Sequence, residues 1–339
     1  MVDGIEVGEI GGVASVAVVV QAATSSVQTI DSVKRRNTNA ELYPRLSLVL
    51  AGVSLAGPVE TATLLISCPD RPGIVAAVSG FLYEKGANIV HADQHVDRQA
   101  SLFLQRVEFD LAGIDLPDLE KGFRAVAERF GMTWDLRRSD HVTNVAVLCS
   151  REPHCLVDLL ARWETGELPG RPVAVVSNHP DHAPVAARHG LPYFHLPVTP
   201  ENKGPQEQRL VGLLEELDVG LVVLARYMQI LTNRVVDRYP NRIINIHHSF
   251  LPAFAGARPY HQAHSRGVKV IGATAHYVTE ELDQGPIIEQ DVVRVSHRDD
   301  VEDLVQKGRD LERVVLARAV RLHLEHRVLV YGNKTAVFA

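Results

Sequence analysis

Two distant segments of the chain carry side chains that could together catalyse acyl transfer. Asn245 and His247 lie two positions apart at the end of a short apolar run, so in a strand both would project from one face. Asp283 lies in a polar loop between two later apolar runs. An amide can donate to an oxyanion, an imidazole can move a proton, and a carboxylate can orient the imidazole. The three residue types therefore predict an acid–base site, provided that the fold brings them together.

Each of these residues also has an ordinary structural interpretation. The chain contains 16 histidines, and a single histidine is more often a surface or core residue than a catalyst. Asparagine at a strand end commonly forms a turn. His154 and His261 could line the same pocket or lie on the surface. The pairs His247-His248 and His261-x-x-His264 lack a third ligand, so we predict no metal site.

The apolar runs around these residues alternate with helical patterns, which is typical of a Rossmann-like, mostly parallel sheet with helices on both faces. Ligands bind such a sheet at the carboxyl ends of its strands, where Asn245 and His247 fall. A long amphipathic helix follows the last strand. The predicted strands are 144–150, 172–178, 219–225, 242–247, 269–278 and 286–295, and the predicted helices are 156–163, 183–188, 206–217 and 300–325.

A different order of elements precedes this α/β region. Strands and helices there follow the βαββαβ order of a ferredoxin-like unit. The polar stretch 137–140 separates the two patterns, so we predict domains over residues 61–138 and 143–339. Residues 1–58 are predicted to be a poorly ordered extension. The predicted elements of the first domain are strands 61–68, 88–96, 101–109 and 132–136 and helices 74–85 and 116–130.

Composition weighs against several functional classes. The formal net charge is -6, whereas binding of nucleic-acid phosphates needs a basic face. Three cysteines without a CxxC pair favour a reducing compartment and buried thiols rather than disulfides or a thiolate metal site. The two apolar runs near the N-terminus are shorter than the ~20 residues that span a bilayer. We therefore predict a cytoplasmic protein with no nucleic-acid or membrane partner.

The catalytic segments resemble those of a known family. The segment Asn-Ile-His-His-Ser-Phe-Leu-Pro at 245–252 resembles the Asn-Ile-His-x-Ser-x-Leu-Pro motif of the folate-dependent formyltransferases. The segment Leu-Asp-Gln-Gly-Pro at 282–286 resembles the Asp-x-Gly-Pro loop of the same family. The resemblance implies that Asn245 and protonated His247 hold the oxyanion of a formyl group. It also implies that Asp283 pairs with His247 and positions the nucleophile or takes its proton.

The same resemblance implies where a folate would bind. The substrate that the family implies is 10-formyltetrahydrofolate, and no prosthetic group is expected. Related transferases commonly carry arginine at the position of Gln229, so a contact from this side chain does not follow from the family. Plain core packing is the alternative for the apolar members. The residues implied to hold the pterin ring are Met228, Gln229, Ile230 and Leu231 on one wall and Val278, Thr279 and Glu280 on the other.

The N-terminal unit resembles an ACT domain. The segments Asp-Arg-Pro-Gly-Ile at 70–74 and Gly-Ala-Asn-Ile at 86–89 match its strand-to-helix loop and the stretch after its helix. ACT domains commonly sense amino acids and pair across subunits. The resemblance therefore implies a homo-oligomer, and it leaves amino-acid sensing and pure assembly equally open. The residues implied to bind an effector are Asp70, Arg71, Pro72, Gly73, Ile74, Asn88 and Ile89.

An ACT domain ahead of a formyltransferase-like domain resembles the deformylase branch of this family, over residues 61–339. That branch implies a hydrolase that cleaves the formyl C–N bond of 10-formyltetrahydrofolate with water, balances one-carbon folate pools and supplies formate to purine synthesis. Transfer to an amine such as glycinamide ribonucleotide is the alternative, although the glycine-rich phosphate loop of those transferases is replaced here by Ser-Arg-Glu-Pro-His at 150–154. A non-catalytic amino-acid sensor is the third interpretation.

Overall fold

A computed structural model describes residues 60–252 and 259–338. The predicted extension at residues 1–58 lies outside the described residues. Within the described part, the chain forms a four-stranded sheet, a seven-stranded sheet and a two-stranded hairpin. The mixed α/β class predicted from the sequence is therefore the one observed.

The N-terminal sheet is antiparallel, with strand order β2-β3-β1-β4. Two helices cover one of its faces, and their apolar stripes meet the alternate apolar residues of the strands in one core that includes Leu64, Phe109 and Phe123. The elements are β1 (Thr61–Pro69), α1 (Ile74–Glu84), β2 (Ile89–Asp97), β3 (Leu102–Asp110), α2 (Leu116–Phe130) and β4 (Thr133–Arg138).

The larger sheet has the order β11-β10-β9-β8-β5-β6-β7. Its strands run parallel from β7 to β9, and β10 and β11 continue it antiparallel. The elements are β5 (Asn144–Cys149), α3 (His154–Glu164), β6 (Arg171–Ser177), α4 (Ala183–Arg188), β7 (Tyr193–His195), α5 (Lys203–Glu216), β8 (Val219–Ala225), α6 (Asn233–Val236), β9 (Ile243–His247), α7 (Pro259–Arg266), β10 (Val270–Tyr277), β11 (Ile287–Arg294) and α8 (Val301–Leu324).

Helices cover both faces of this sheet, which explains why its central strands are apolar on both sides. Helices α3 and α8 pack on one face, and α5 and α6 pack on the other. The chain builds the sheet in one direction from β5 to β7 and then returns to add β8 and β9 on the other side of β5. The carboxyl ends of β5, β8 and β9 therefore border the crevice where such sheets bind ligands. Asp300 precedes helix α8, and its carboxylate caps the helix by accepting from the Asp303 N–H at 2.9 Å.

A C-terminal hairpin, which the sequence patterns did not predict, follows α8. Its strands are β12 (Val328–Tyr331) and β13 (Lys334–Val337). Apolar residues of the hairpin bury Leu104 of the N-terminal sheet. Arg106 of that sheet is also buried and donates to the carbonyl of His326 at 3.0 Å. The second face of the N-terminal sheet is thus packed against the end of the chain.

Two further sequence predictions concern the cysteines and membrane-spanning helices. Cys68, Cys149 and Cys155 are free and buried, as expected of small core residues. Burial raises the pKa of the Cys149 thiol to about 12, so this group stays a neutral thiol at neutral pH. In residues 60–252 and 259–338, no helix combines the length and the apolar character that crossing a bilayer requires.

Candidate active site

A cavity of about 770 Å³ opens at the carboxyl ends of β8 and β9. The loop after β8 forms one wall, and the loop between β10 and β11 forms the other. Asn245, His247 and Asp283 all line it, so the fold brings the three predicted catalytic residues to one cavity. The predicted folate-binding residues line it as well: Met228, Gln229, Ile230, Leu231, Val278, Thr279 and Glu280.

The carboxylate of Asp283 lies between two imidazole rings. Its Oδ2 atom is 3.2 Å from Nδ1 of His247, and its Oδ1 atom is 3.6 Å from Nε2 of His276. Asn245 joins the same group, because its Nδ2 atom lies 3.2 Å from Nε2 of His276. Four polar side chains from β9, β10 and the following loop therefore form one connected cluster at the end of the cavity.

His276 is the member of this cluster that the sequence analysis missed. It lies on β10 directly opposite Asn245 on β9, and it is almost completely buried. Its Nδ1 atom is 2.9 Å from the carbonyl oxygen of Tyr277, which can only accept, so Nδ1 carries the proton. In the neutral ring Nε2 then accepts from the Asn245 amide, which keeps its second N–H for another acceptor.

The pairing of His247 with Asp283 determines which nitrogen of His247 stays without a partner. The Nδ1 atom donates to the carboxylate, so Nε2 is the nitrogen left for a reacting group. Within the described part of the chain, this Nε2 atom is buried and has no hydrogen-bond partner. Native structures rarely bury a polar atom without a partner, and such an atom commonly marks a functional position.

Its histidine neighbours keep Asp283 ionised. The hydrogen bond from His247 lowers the pKa of the Asp283 carboxyl most, and the nearby His276 ring lowers it further, to well below its ordinary range despite partial burial. His248, the next residue after His247, behaves differently: burial, followed by the charge of Arg226, lowers its pKa to about 4. At neutral pH Asp283 is therefore a fixed negative charge, and His248 is an uncharged part of the wall.

The backbone of the β10–β11 loop places Asp283 in this position. Asp283 adopts a left-handed conformation with φ of 57°, which aspartate tolerates better than most residues. Gly285 packs so closely on the carbonyl of Tyr277 that an added Cβ atom would overlap it. The Tyr277 N–H donates to the Pro286 carbonyl at 2.9 Å, closing the loop at its base. A glycine at 285 is therefore required for the loop to return Asp283 towards His247.

A second polar cluster surrounds the buried carboxylate of Glu312 on α8 and includes Arg226, which lines the cavity after β8. Its Oε2 atom is 2.7 Å from Nε2 of His154 and 3.5 Å from Nε of Arg226, and Tyr260 donates to its Oε1 atom at 2.7 Å. Burial opposes ionisation of Glu312, but the His154 bond, the Arg226 charge and the Tyr260 bond outweigh it and lower the pKa. Of the two histidines left open by the sequence analysis, His154 belongs to this cluster and His261 is exposed on α7; neither lines the cavity.

His154, Cys155 and Glu312 come close enough to resemble a metal site, with potential ligand atoms within 4.8 Å of one another. Their chemistry suits a cation poorly. Arg226 already neutralises the Glu312 carboxylate, and burial holds the pKa of Cys155 well above its usual value, so its thiol is not an anionic ligand. We assign this group to the packing of α3 against α8.

Three of the seven residues predicted to bind an effector already use their side chains for contacts within the N-terminal domain. Ile74 is buried in its core. The guanidinium of Arg71 stacks on the ring of Phe130, 4.5 Å from the centroid, and Asn88 donates to Asp110 at 2.9 Å. The remaining predicted residues are Asp70, Pro72 and Gly73, which are exposed, and Ile89, which is half-buried.

Comparisons with known proteins agree with this architecture. The family model described as formyl transferase matches residues 143–320, and the ACT domain model matches residues 62–126. Formyltetrahydrofolate deformylase of Synechocystis sp. is 57% identical over 281 residues, which cover 82% of this chain and 99% of that protein. A crystal structure of a formyltetrahydrofolate deformylase from Pseudomonas syringae superimposes with a TM-score of 0.81 at 48% identity, covering 87% of this chain and 99% of that one.

A more distant match marks the other branch of the family. The structure of glycinamide ribonucleotide transformylase 1 from Symbiobacterium toebii has a TM-score of 0.56 at 34% identity, and covers 60% of this chain and 97% of that one. The deformylases match both the N-terminal and the C-terminal regions at higher identity. The chain therefore belongs to the formyl transferase family and, within it, to the formyltetrahydrofolate deformylases.

Proposed function

We propose that the chain hydrolyses 10-formyltetrahydrofolate to formate and tetrahydrofolate, with Asn245, His247 and Asp283 as its catalytic residues. The convergence of these three side chains in one cavity carries the proposal. His247 lines that cavity, its buried Nε2 atom has no partner among the described residues, and its other nitrogen lies against an ionised carboxylate. Asn245 has an N–H left to donate beside it. These are the groups that a tetrahedral oxyanion and a departing amine need.

The reaction can be written with the groups in place. Water attacks the formyl carbon, and its oxygen forms the new C–O bond while the carbonyl oxygen takes the negative charge. Asn245 and protonated His247 donate to that oxyanion. Asp283 orients the water and takes one of its protons, because protonated His247 has no lone pair to accept it. The bond from carbon to N10 then breaks, N10 takes a proton from His247, and formic acid leaves with both oxygens and ionises to formate. Asp283 returns its proton to His247, which restores the starting state.

The walls of the cavity suit a flat heterocycle with polar edges. Met228 and Ile230 expose 60% and 56% of their surface although both are large apolar side chains. Exposed apolar groups that line a concave site are typical of a ligand contact. On the opposite wall, Thr279 and Glu280 offer main-chain and side-chain polar groups for the edge of the ring. We assign the pterin to this space between the two loops.

Water is the proposed acceptor because the segment after β5 is already committed to contacts within the chain. Glu152 accepts from Arg309 at 2.6 Å, and His154 is held by Glu312. Neither the carboxylate of Glu152 nor the occupied ring of His154 suits the phosphate of a ribonucleotide acceptor. Formyl transfer to an amine such as glycinamide ribonucleotide is the second candidate, and the more distant transformylase structures are what favour it.

One assay separates these functions. The purified full-length protein is incubated with 10-formyltetrahydrofolate alone, and formate and tetrahydrofolate are quantified. We expect equimolar release of both, and the Asp283→Asn variant should release neither at a comparable rate. Product formation only after adding glycinamide ribonucleotide would replace hydrolysis by transfer. No consumption of the folate with or without the amine would leave only the non-catalytic sensor.

The wider role follows from the products. Formate would feed purine synthesis, and returned tetrahydrofolate would balance the one-carbon pools, in the cytoplasm and with no prosthetic group, nucleic acid or membrane as partner. The ACT domain would pair subunits into a homo-oligomer and could take a free amino acid at the loop that carries Gly73. Light scattering tests the assembly, and titration of the activity with the twenty amino acids tests the effector.

A further inference from the structure

Two side chains of the C-terminal hairpin hold the loop that carries Asp283. Asn333 donates through Nδ2 to the carbonyl of Gln284 at 2.9 Å, and Thr335 donates through Oγ1 to the carbonyl of Ile287 at 2.5 Å. The two bonds lie on either side of Gly285-Pro286, so they hold both ends of the turn. Asn333 also lines the cavity itself.

Within the β10–β11 loop itself, few hydrogen bonds could hold Asp283 in place. The Gln284 N–H reaches the Glu281 carbonyl at 3.3 Å, and the Thr279 hydroxyl reaches the same carbonyl at 3.2 Å. Both bonds are long; the first spans Asp283 and the second lies on its N-terminal side. Leu282 is 59% exposed. On the C-terminal side of Asp283, the loop is held by Gly285 packing on β10, by the Tyr277 N–H that donates to the Pro286 carbonyl, and by the hairpin.

The hairpin is a rigid support because the N-terminal sheet holds it from the other side. Leu329, Ala336 and Phe338 pack on Leu104 of β3 in one buried cluster. Tyr331 and Lys334 both contact the carboxylate of Asp97, at 3.3 and 3.1 Å. The same carboxylate accepts from the main chain of the β2–β3 turn. Side chains of one short hairpin thus reach the N-terminal sheet and the catalytic loop.

We propose that Asn333 and Thr335 are positioning residues for Asp283, and that the C-terminal hairpin is the element through which the N-terminal sheet supports the active site. This inference rests on the hydrolysis proposed above. A carboxylate that drifts by about 1 Å from its partner can lower the rate by about a hundredfold, so small supports far from the reacting atoms matter. The part of this loop assigned to the pterin begins at Val278, whose N–H is held by the Ile243 carbonyl of β9 at 2.9 Å and not by the hairpin. Loss of the hairpin bonds should therefore lower kcat more than it changes KM.

Matched substitutions in the full-length chain test the role. Thr335→Val removes the hydroxyl and keeps the shape, whereas Thr335→Ser keeps the hydroxyl. Asn333→Asp keeps the size and replaces the donor that faces the Gln284 carbonyl. Val337→Thr is the control, because it changes an exposed side chain on the same hairpin and leaves the two loop bonds and the Asp97 contacts in place. Steady-state kinetics and thermal melting are measured for each, after far-UV circular dichroism confirms folding.

The kinetic expectation is specific. Thr335→Val and Asn333→Asp should each lower kcat about tenfold with KM little changed, since the misplaced group acts in the transition state. Thr335→Ser should restore most of the rate. Val337→Thr should stay within about twofold of the wild type, because substitutions of exposed side chains away from such contacts change little. Unchanged kcat in both Thr335→Val and Asn333→Asp, even with a lower melting temperature, would overturn the inference.

A second readout separates this inference from the proposed function. Proton NMR detects the His247 N–H that bonds to Asp283 as a downfield resonance, which Asp283→Asn should abolish and thereby assign. We expect Thr335→Val and Asn333→Asp to shift or broaden it, and Thr335→Ser and Val337→Thr to retain it. A wild-type chain that releases no formate would refute hydrolysis, while an unmoved resonance in both test variants would refute positioning whatever the activity.

Discussion

Asp283 uses its two carboxylate oxygens for two histidines of adjacent antiparallel strands. The Oδ2 atom faces Nδ1 of His247 at 3.2 Å, and the Oδ1 atom faces Nε2 of His276 at 3.6 Å. One charge therefore orients the ring assigned to catalysis and the ring that contacts Asn245. Its removal would disturb the oxyanion donor and the proton carrier together, which is why catalytic effects at this position should be large.

Asp283→Asn should lower kcat by about a thousandfold or more, because an amide neither neutralises an imidazolium nor fixes the tautomer of His247 as a carboxylate does. Single-turnover formate release at saturating 10-formyltetrahydrofolate measures the effect. Asp291→Asn, on β11 and outside the cavity, is the matched control and should keep the wild-type rate. A wild-type rate in Asp283→Asn would disprove the assigned role.

The Asp283→Asn substitution should also change the free energy of unfolding, by an amount that depends on pH. The folded-state pKa of Asp283 lies below its unfolded value, so its ionised form stabilises the fold above the unfolded carboxyl pKa of about 3.9. That contribution is lost as the pH falls through and below this value. Urea unfolding at pH 7 and at acid pH should therefore show a wild-type advantage over Asp283→Asn that shrinks in acid.

Some contacts within this cluster could be predicted from the sequence, and others could not. Asn245 and His247 share a face because strand side chains repeat every two residues, and the polar loop with Gly285 marked Asp283. His276 could not be assigned, because its contact depends on the register that sets it opposite Asn245. A periodic pattern shows which residues of one strand share a face, but it does not determine the register of that strand against its neighbour.

The longer elements were predictable for a similar reason, and the short ones were not. Helix α2 and strand β8 have clear apolar periods, and their predicted and observed bounds agree. Hairpin strands β12 and β13 have four residues each, too few to establish a period. Glu312 lies on α8 among apolar neighbours, and its burial depends on partners from α3, α7 and the end of β8 that only the fold brings there.

Glu312→Gln should destabilise the chain by about 3 kcal/mol at neutral pH, because it leaves the buried Arg226 without its counter-charge. The folded-state pKa of Glu312 is lowered, so the wild-type advantage exists above the ordinary glutamate pKa of about 4.3 and declines as the pH falls. Urea titrations at pH 7 and near pH 4 measure both effects. Glu216→Gln, at an exposed site on α5, should be neutral; equal effects of the two substitutions would contradict the buried-pair interpretation.

Gly285→Ala should displace the catalytic loop, because the added methyl group overlaps the carbonyl of Tyr277 in the neighbouring strand. Forcing the two apart costs about 2 kcal/mol, by the range for overpacked sites, and moves Asp283 away from His247. Both the melting temperature and kcat should fall. Gly204→Ala, near the start of α5 with open space around it, is the control and should be neutral or slightly stabilising. A Gly285→Ala variant with wild-type kcat would show that the loop can shift without cost to the site.

Ile230→Ala should raise KM for 10-formyltetrahydrofolate about tenfold and leave kcat nearly unchanged, since it removes apolar surface that the bound ring would cover and touches none of the reacting groups. Val292→Ala is the control: its side chain is 45% exposed, similar to the 56% of Ile230, but it lies on β11 outside the cavity. Initial rates over a range of folate concentrations distinguish the two parameters. A fall in kcat at constant KM in Ile230→Ala would mean that this wall positions the formyl group rather than holding the pterin, and an unchanged KM and kcat would place the ring elsewhere.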